Sequence, residues 1–326
     1  MRRLLSIVLA ITVMITADSC TNSRSPLSPP SSGKPFEVLV VCNNTLWNSA
    51  AGIMIQRMLQ QDVPGLPQAE KMFDLSHTDR QHFNQITHLA RNIVIIDCDN
   101  RHRDKLALKL AHDVYASPQT ILLITARDEE SLLEELPRYR DYIPALINRE
   151  ELKLMTAEMK NSHNRKAENA LQKLFGIKMN IPADISSAKY GKNFAWLSNN
   201  SPRVMQNVCI YAYDSDGTPN RENFIRHRDS IMRANIPGET PAMYMKTVAP
   251  TVIWEQQGDN FAARGLWEME NDAMGGPFIS IVHTGGKDRI IVTEGFVYAP
   301  GLKKRYPTRR LEAVIYTYKN STEKRK

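Results

Sequence analysis

Asn92-Ile-Val-Ile-Ile-Asp-Cys98 is a run of branched apolar residues too short for a typical helix and apolar on both faces that a strand would present. Such a run reads as a strand buried on both sides of a sheet. Phe36-Glu-Val-Leu-Val-Val-Cys42 before it and Thr120-Ile-Leu-Leu-Ile-Thr125 after it have the same character. Trp47, Ala51, Met54 and Met58 share one helical face between the first two runs, and Asp62-Val-Pro-Gly-Leu-Pro67 stops that helix. Leu106, Leu110 and Val114, spaced i, i+4, i+8, predict another helix, and Asp128 to Phe175 reads as helix broken near Pro137 and Pro144. Alternating strand and helix define an α/β lobe over residues 36–178.

The second half changes character. Phe194–Ser198, Val208–Tyr213, Val252–Glu255, Phe261–Met269, Phe278–His283 and Arg289–Ala299 predict strands in succession. Met274-Gly-Gly-Pro277 is expected to turn the chain, and Thr284-Gly-Gly-Lys-Asp288 to join the last two strands. Glu222–Asn235 predicts a helix with Phe224, Ile225, Ile231 and Met232 inward, and Leu311, Val314, Ile315 and Tyr318 a final one. The fold class is therefore α+β: an N-terminal α/β lobe, then a strand-rich α+β lobe over residues 179–320.

The first 19 residues read as a secretory signal: Arg2 and Arg3, an apolar stretch from Leu4 to Ala17, then Ser19 before Cys20. The order resembles a bacterial lipoprotein signal, which implies acylation of Cys20, although Asp18 and Ala17 depart from the usual pattern; simple secretion is the alternative. Residues 20–35, rich in Ser and Pro, read as a tether, and 321–326 as a basic tail. Without an acidic run behind Cys20, the body is expected to face the periplasm from the outer membrane.

The net charge of +7 is concentrated at one end. Residues 301–326 hold Lys303, Lys304, Arg305, Arg309, Arg310, Lys319, Lys324, Arg325 and Lys326 against Glu312 and Glu323. Anionic lipid or a cell-wall polymer is the expected partner of such a segment, a solvated helix face being the alternative. No aromatic-interleaved basic motif supports nucleic-acid binding. No C-x-x-C or H-E-x-x-H spacing calls for zinc, and no cofactor is expected.

Four constellations bear on chemistry. Val208-Cys-Ile-Tyr-Ala-Tyr-Asp-Ser-Asp-Gly-Thr218 resembles the first motif of haloacid-dehalogenase-type phosphatases, which would make Asp214 the nucleophile and Asp216 the acid beside Mg²⁺, with Thr284 ending a second-motif strand. The acidic third motif is missing, since Arg289–Pro300 offers only Glu294, and Asp-Ser-Asp-Gly is also an ordinary turn. Glu268, Glu270 and Asp272 alternate as on one strand face, a spacing suited to a carboxylate-based hydrolase or to part of a calcium site, or simply to a solvated face. With Arg264, Trp267 and Glu294 they form the candidate ligand-binding set, although Trp267, on the opposite face with Met269, reads first as a core residue. Cys42, Cys98 and Cys209 read as buried thiols, with a Cys42–Cys98 bridge open if their strands are neighbours. The eight histidines show no i, i+4 pair.

Pro64-Gly-Leu-Pro-Gln68, Arg91-Asn-Ile93, Phe194-Ala-Trp-Leu-Ser198, Arg228-Asp-Ser-Ile231, Asn235-Ile-Pro-Gly238, Arg264-Gly-Leu-Trp-Glu268, Met274-Gly-Gly-Pro-Phe278 and Glu294-Gly-Phe-Val-Tyr-Ala-Pro300 together resemble an uncharacterised lipoprotein family of Bacteroidetes. The resemblance implies compartment and lineage but no activity. The expectation is a non-catalytic binding or assembly protein of the cell envelope, with a metal-dependent hydrolase as the alternative.

Overall fold

The computed structural model describes residues 28–102, 105–215, 217–284 and 289–320. The signal segment, Cys20, Asp216, residues 285–288 of the last expected loop and the 321–326 tail lie outside the described residues. The three apolar runs form the centre of a five-stranded sheet. Strands β1 (Glu37–Val41), β2 (Asp74–Thr78), β3 (Asn92–Cys98), β4 (Ala107–His112) and β5 (Thr120–Ala126) stand in the order β2-β1-β3-β5-β4. All neighbours are parallel except β4, which pairs antiparallel with β5.

Helices α1 (Asn44–Asn48) and α2 (Ala50–Leu59) lie between β1 and β2, and α3 (Glu129–Glu135), α4 (Tyr142–Met159) and α5 (Arg165–Phe175) follow β5. Their starts are set locally. Asn43, Ser49, Asp128 and Asn164 each accept a hydrogen bond from a backbone N–H of the first turn, satisfying donors that the helix itself leaves unpaired. Pro144 does not break its helix: it sits in the first turn of α4, where a missing N–H costs nothing. The helical stretch breaks near Pro137, between α3 and α4, as expected, and again between α4 and α5.

The segment expected as a helix around Leu110 is β4. Leu106, Leu108 and Leu110 satisfy a strand period as well as Leu106 and Leu110 satisfy a helical one, and the open edge of β5 supplies partners for the strand. Val114, the third residue of the helical reading, is exposed.

The second sheet is antiparallel throughout. Its strands are β7 (Ser187–Tyr190), β8 (Phe194–Ser198), β9 (Met205–Asp214), β10 (Met245–Thr247), β12 (Asn260–Met269), β13 (Gly275–His283) and β14 (Arg289–Tyr298), in the order β10-β12-β13-β14-β9-β8-β7, with β11 (Ile253–Gln257) added along β12. A short ribbon pairs β6 (Ile177–Lys178) with β15 (Lys319–Asn320). The turn expected at Met274-Gly-Gly-Pro277 lies one step earlier. Asn271 takes a left-handed conformation (φ 58°) there, while Gly275, Gly276 and Pro277 already pair with Glu268, Trp267 and Leu266. Gly276 can hold no larger residue, because a Cβ would stand 2.0 Å from the Val297 carbonyl oxygen.

Helix α6 (Arg221–Asn235) covers one face of this sheet, burying Phe224 and Met232 against Tyr211, Trp267, Phe278 and Phe296. Helix α7 (Arg305–Ile315) lies on the other face, where Leu311 packs directly over Gly295. Tyr318 falls beyond that helix. The buried cluster beneath α7 is continuous from Phe36 and Val40 of the first sheet, through Leu146 and Leu171, to Ile210, Ile281 and Ile315 of the second. The α+β layering is thus sheet, helices, sheet and helix.

Candidate ligand-binding site

Helix α6 presents Arg228 one turn from both Phe224 and Met232, on its apolar face. Arg228 is fully buried and meets Glu294 of β14, also fully buried, with Nη2 2.8 Å from Oε1 and Nε 3.0 Å from Oε2. Tyr211 and Ser280 donate to the same carboxylate at 3.1 and 2.9 Å, Arg228 Nη1 donates to Thr247, and the guanidinium lies 4.1 Å from the centre of the Phe278 ring. Burial opposes the Arg228 charge, but Glu294 outweighs it and holds its pKa above the ordinary value. Burial, then Glu294, push the Tyr211 phenol well up. Glu294, a sequence-predicted ligand candidate, is therefore consumed inside the core.

The other candidates divide between two openings. Trp267 is buried, donates from Nε1 to the Val297 carbonyl at 3.3 Å and packs edge-on against Phe296. With Glu268 and Asp272 it borders a shallow cleft of about 460 Å³ that also includes Pro67, Gln68 and Tyr298. Glu268 and Glu270 do not form an open carboxylate pair. Lys246, across the β10–β12 ladder, bridges both, at 3.2 Å from Glu268. Asp272 has left the strand for the turn, so the expected three-carboxylate face does not form.

Arg264 points to a larger opening. One wall is a continuous face of α4 that includes Asn148, Arg149, Leu152, Lys153 and Thr156, and the other is Gln257, Arg264, Glu312 and Tyr316. The cavity measures about 740 Å³, within the usual range for small-molecule sites. At its floor Glu312 accepts from Arg264 and, at 2.6 Å, from Arg309. Burial alone would raise the Glu312 pKa, yet the two guanidiniums hold it at about 2. Burial opposes ionisation of Arg264 and Glu312 reverses the effect, so that arginine stays charged. Desolvation, then Glu312, raise the Tyr316 phenol.

Four basic side chains, Arg149, Lys153, Lys160 and Arg264, line this cavity against the single carboxylate of Glu312, although Arg149 and Lys153 also engage Glu150 beside it. Asn148 Oδ1 is buried and accepts no hydrogen bond among the described residues. A buried acceptor in that state is costly, and it calls for a donor. The basic lining suits the cavity to an anion. Only Arg264 of this constellation was singled out in the sequence. The residues at 145, 149, 152, 156 and 160 follow helical spacing, but nothing local distinguishes their face from a solvated one.

The phosphatase-like motif gains little. Asp214 is exposed at the end of the interior strand β9, Asp216 lies outside the described residues, and the Thr284 hydroxyl donates to the Asp259 carbonyl. Among the described residues no cluster of three His, Cys, Asp or Glu side chains is placed to hold a metal ion. Strands β1 and β3 are neighbours, but Val41 pairs with Ile95, so Cys42 and Cys98 are offset along the ladder, and both are free thiols. Burial pushes each thiol up to about 11.

Two family profiles match this architecture. Residues 31–160 match a Domain of unknown function (DUF8532), and residues 164–317 match a Domain of unknown function (DUF4837). Together they fit the uncharacterised Bacteroidetes family expected from the sequence, and the cavity lies where the two matched regions meet. Curated proteins give no match. A crystal structure from Bacteroides thetaiotaomicron VPI-5482 is similar over 45% of this chain and 46% of its own, at 19% identity and a TM-score of 0.27, too slight a likeness to argue from.

Proposed function

We propose that this chain is a lipid-anchored, periplasm-facing protein of the cell envelope that binds a small anionic ligand without transforming it. Acylation of Cys20 supplies the anchor, supported by the signal-like order of residues 1–20. Among the described residues no helix is long and apolar enough to cross a membrane. The observation that carries the binding reading is the cavity between α4 and α7, where the nearly buried guanidinium of Arg264 lies at a basic mouth lined by Arg149, Lys153 and Lys160. A ligand bearing an anionic group would answer that charge.

The test is thermal stabilisation of the chain lacking residues 1–20 by N-acetylmuramic acid and by glycerol 3-phosphate, with neutral N-acetylglucosamine as the control. A rise in Tm with either anion and none with the sugar is expected, reduced in Asn148→Leu and Lys160→Gln. Equal effects from the neutral sugar, or none from either anion, would refute the cavity as an anion site. Labelling with an alkyne fatty acid tests the anchor independently: Cys20→Ser should lose the label and leave the membrane fraction.

A further inference from the structure

The segment read as a free tether is partly bound to the body. Ser117 N donates to the Pro29 carbonyl at 2.9 Å, Ser32 N to Leu89 O at 2.7 Å, and Arg91 N to Ser32 O at 2.9 Å. Short bridges pair Pro30 with Ser117 and Ser32 with Ala90. Ser117, Ala90 and Lys34 stand just before the amino-terminal ends of β5, β3 and β1, so residues 29–34 run across the ends of the three central strands of the five-stranded sheet. The chain then turns through Gly33 (φ 98°) and Phe36 (φ 67°) into β1. Only eight peptide steps separate Cys20 from Ser28, about 28 Å at full extension.

That edge carries what a bilayer would contact. Ile86 is 79% exposed and Val114 52% exposed, in the loops that lead into β3 and β5. Tyr115, partly exposed beside them, stacks on His88 at 4.1 Å. Tyrosine suits the boundary between headgroups and acyl chains, with its ring in the apolar layer and its hydroxyl in the wet one. Along the same edge Lys34 and Lys303 are exposed close to Asp74, whose carboxylate is taken by Arg305. Asp113, at the β4–β5 turn, accepts from Gln119 N at 2.8 Å.

We infer that the amino-terminal edge of the five-stranded sheet is the surface that lies on an anionic bilayer, with Ile86, Val114 and Tyr115 at the acyl boundary and Lys34 and Lys303 over the headgroups. The inference rests on the acylation of Cys20 proposed above. The short span between Cys20 and Ser28 and the place where Ser28 meets the body favour this face over exposed apolar residues elsewhere, among them Ile53 on α2 and Ile253 on β11. It also revises the role expected of the basic C-terminal segment. Arg305, Arg309 and Arg310 are paired with Asp74, Glu312 and Asp184, and Lys304 is buried, so between residues 303 and 310 Lys303 is the cation turned to the membrane.

The full-length acylated protein is reconstituted in vesicles of phosphatidylethanolamine and phosphatidylglycerol containing a phospholipid with a diazirine-bearing acyl chain, then irradiated and mapped by mass spectrometry. Lipid adducts are expected on peptides 83–89 and 113–118 and not on 50–58. The double variant Ile86→Asp, Val114→Asp should lose them at least several-fold with Tm unchanged, since both residues are exposed. Vesicles of phosphatidylcholine should give a lower yield; an equal yield would overturn the anionic assignment. An acylated Cys20 with adducts spread evenly, or confined to 50–58, would overturn the docking face while leaving the anchor intact. An unacylated Cys20 in the same spectra would instead overturn the anchor, and this inference with it.

Discussion

Replacing His283 should change the acid limb of the stability curve more than stability at neutral pH. His283 is buried near the end of β13, stacks on Tyr318 with ring centres 3.6 Å apart, and has Nε2 3.0 Å from Thr293 Oγ1. Burial disfavours the imidazolium and lowers its pKa from 6.5 to about 4. Between those values the unfolded chain binds a proton that the folded chain does not, so stability rises with pH across that window and falls as pH drops from 6.5 to 4. At 1.36 kcal/mol per pH unit, a gap of about 2.5 units corresponds to about 3 kcal/mol, fully lost once both states are protonated. The assay is urea unfolding of the chain lacking residues 1–20, parent and His283→Gln, from neutral pH to below pH 4. Taking the difference between the two proteins at each pH cancels groups common to both, including Glu312, whose depressed pKa gives the same sign of dependence at lower pH. That difference should change by about 3 kcal/mol in favour of the variant on acidification. A difference independent of pH would refute the buried neutral imidazole.

Arg228→Met should cost about 3–5 kcal/mol in the same assay, because it leaves the Glu294 charge buried and unpaired, and adding Glu294→Gln should recover part of the loss. Gly295→Ala should lower stability by about 1–3 kcal/mol, since its Cβ would stand 2.6 Å from Leu311 Cβ, and Leu311→Ala in the same chain should not restore it, because alanine keeps that Cβ and adds a cavity penalty of its own. Hydrogen exchange should find the Ser32 and Arg91 amides protected, and a chain beginning at Lys34 should lose the protection at Arg91; fast exchange in the longer chain would show that residues 29–33 do not bind the sheet edge.

The sequence by itself determined the elements that are buried on both faces. β1, β3 and β5 are legible because a strand covered on both sides must be apolar at every position, and a continuous branched run has few other uses. Strands β8, β9 and β11 to β14 were legible as apolar runs bounded by turn residues, and helix α6 by the period of its inward side chains, whereas the three-residue β10 was not. The α+β class followed from the change of pattern between the two halves.

Tertiary structure decided everything that depends on a distant partner. β4 could be helix or strand until β5 offered it an edge. The sequence left Arg228 without a role and Arg264 as a ligand candidate, because the carboxylates that allow them to be buried lie 66 and 48 residues away in the chain. Trp267 and Glu294 looked available to a ligand until folding enclosed them. The cavity beside Arg264 exists only because one face of α4 meets α7 and β12 across the junction of the two halves. The docking of residues 29–34 left no mark in composition at all, because it is made by backbone N–H and C=O groups that every residue carries, save the proline N–H, whatever the side chain.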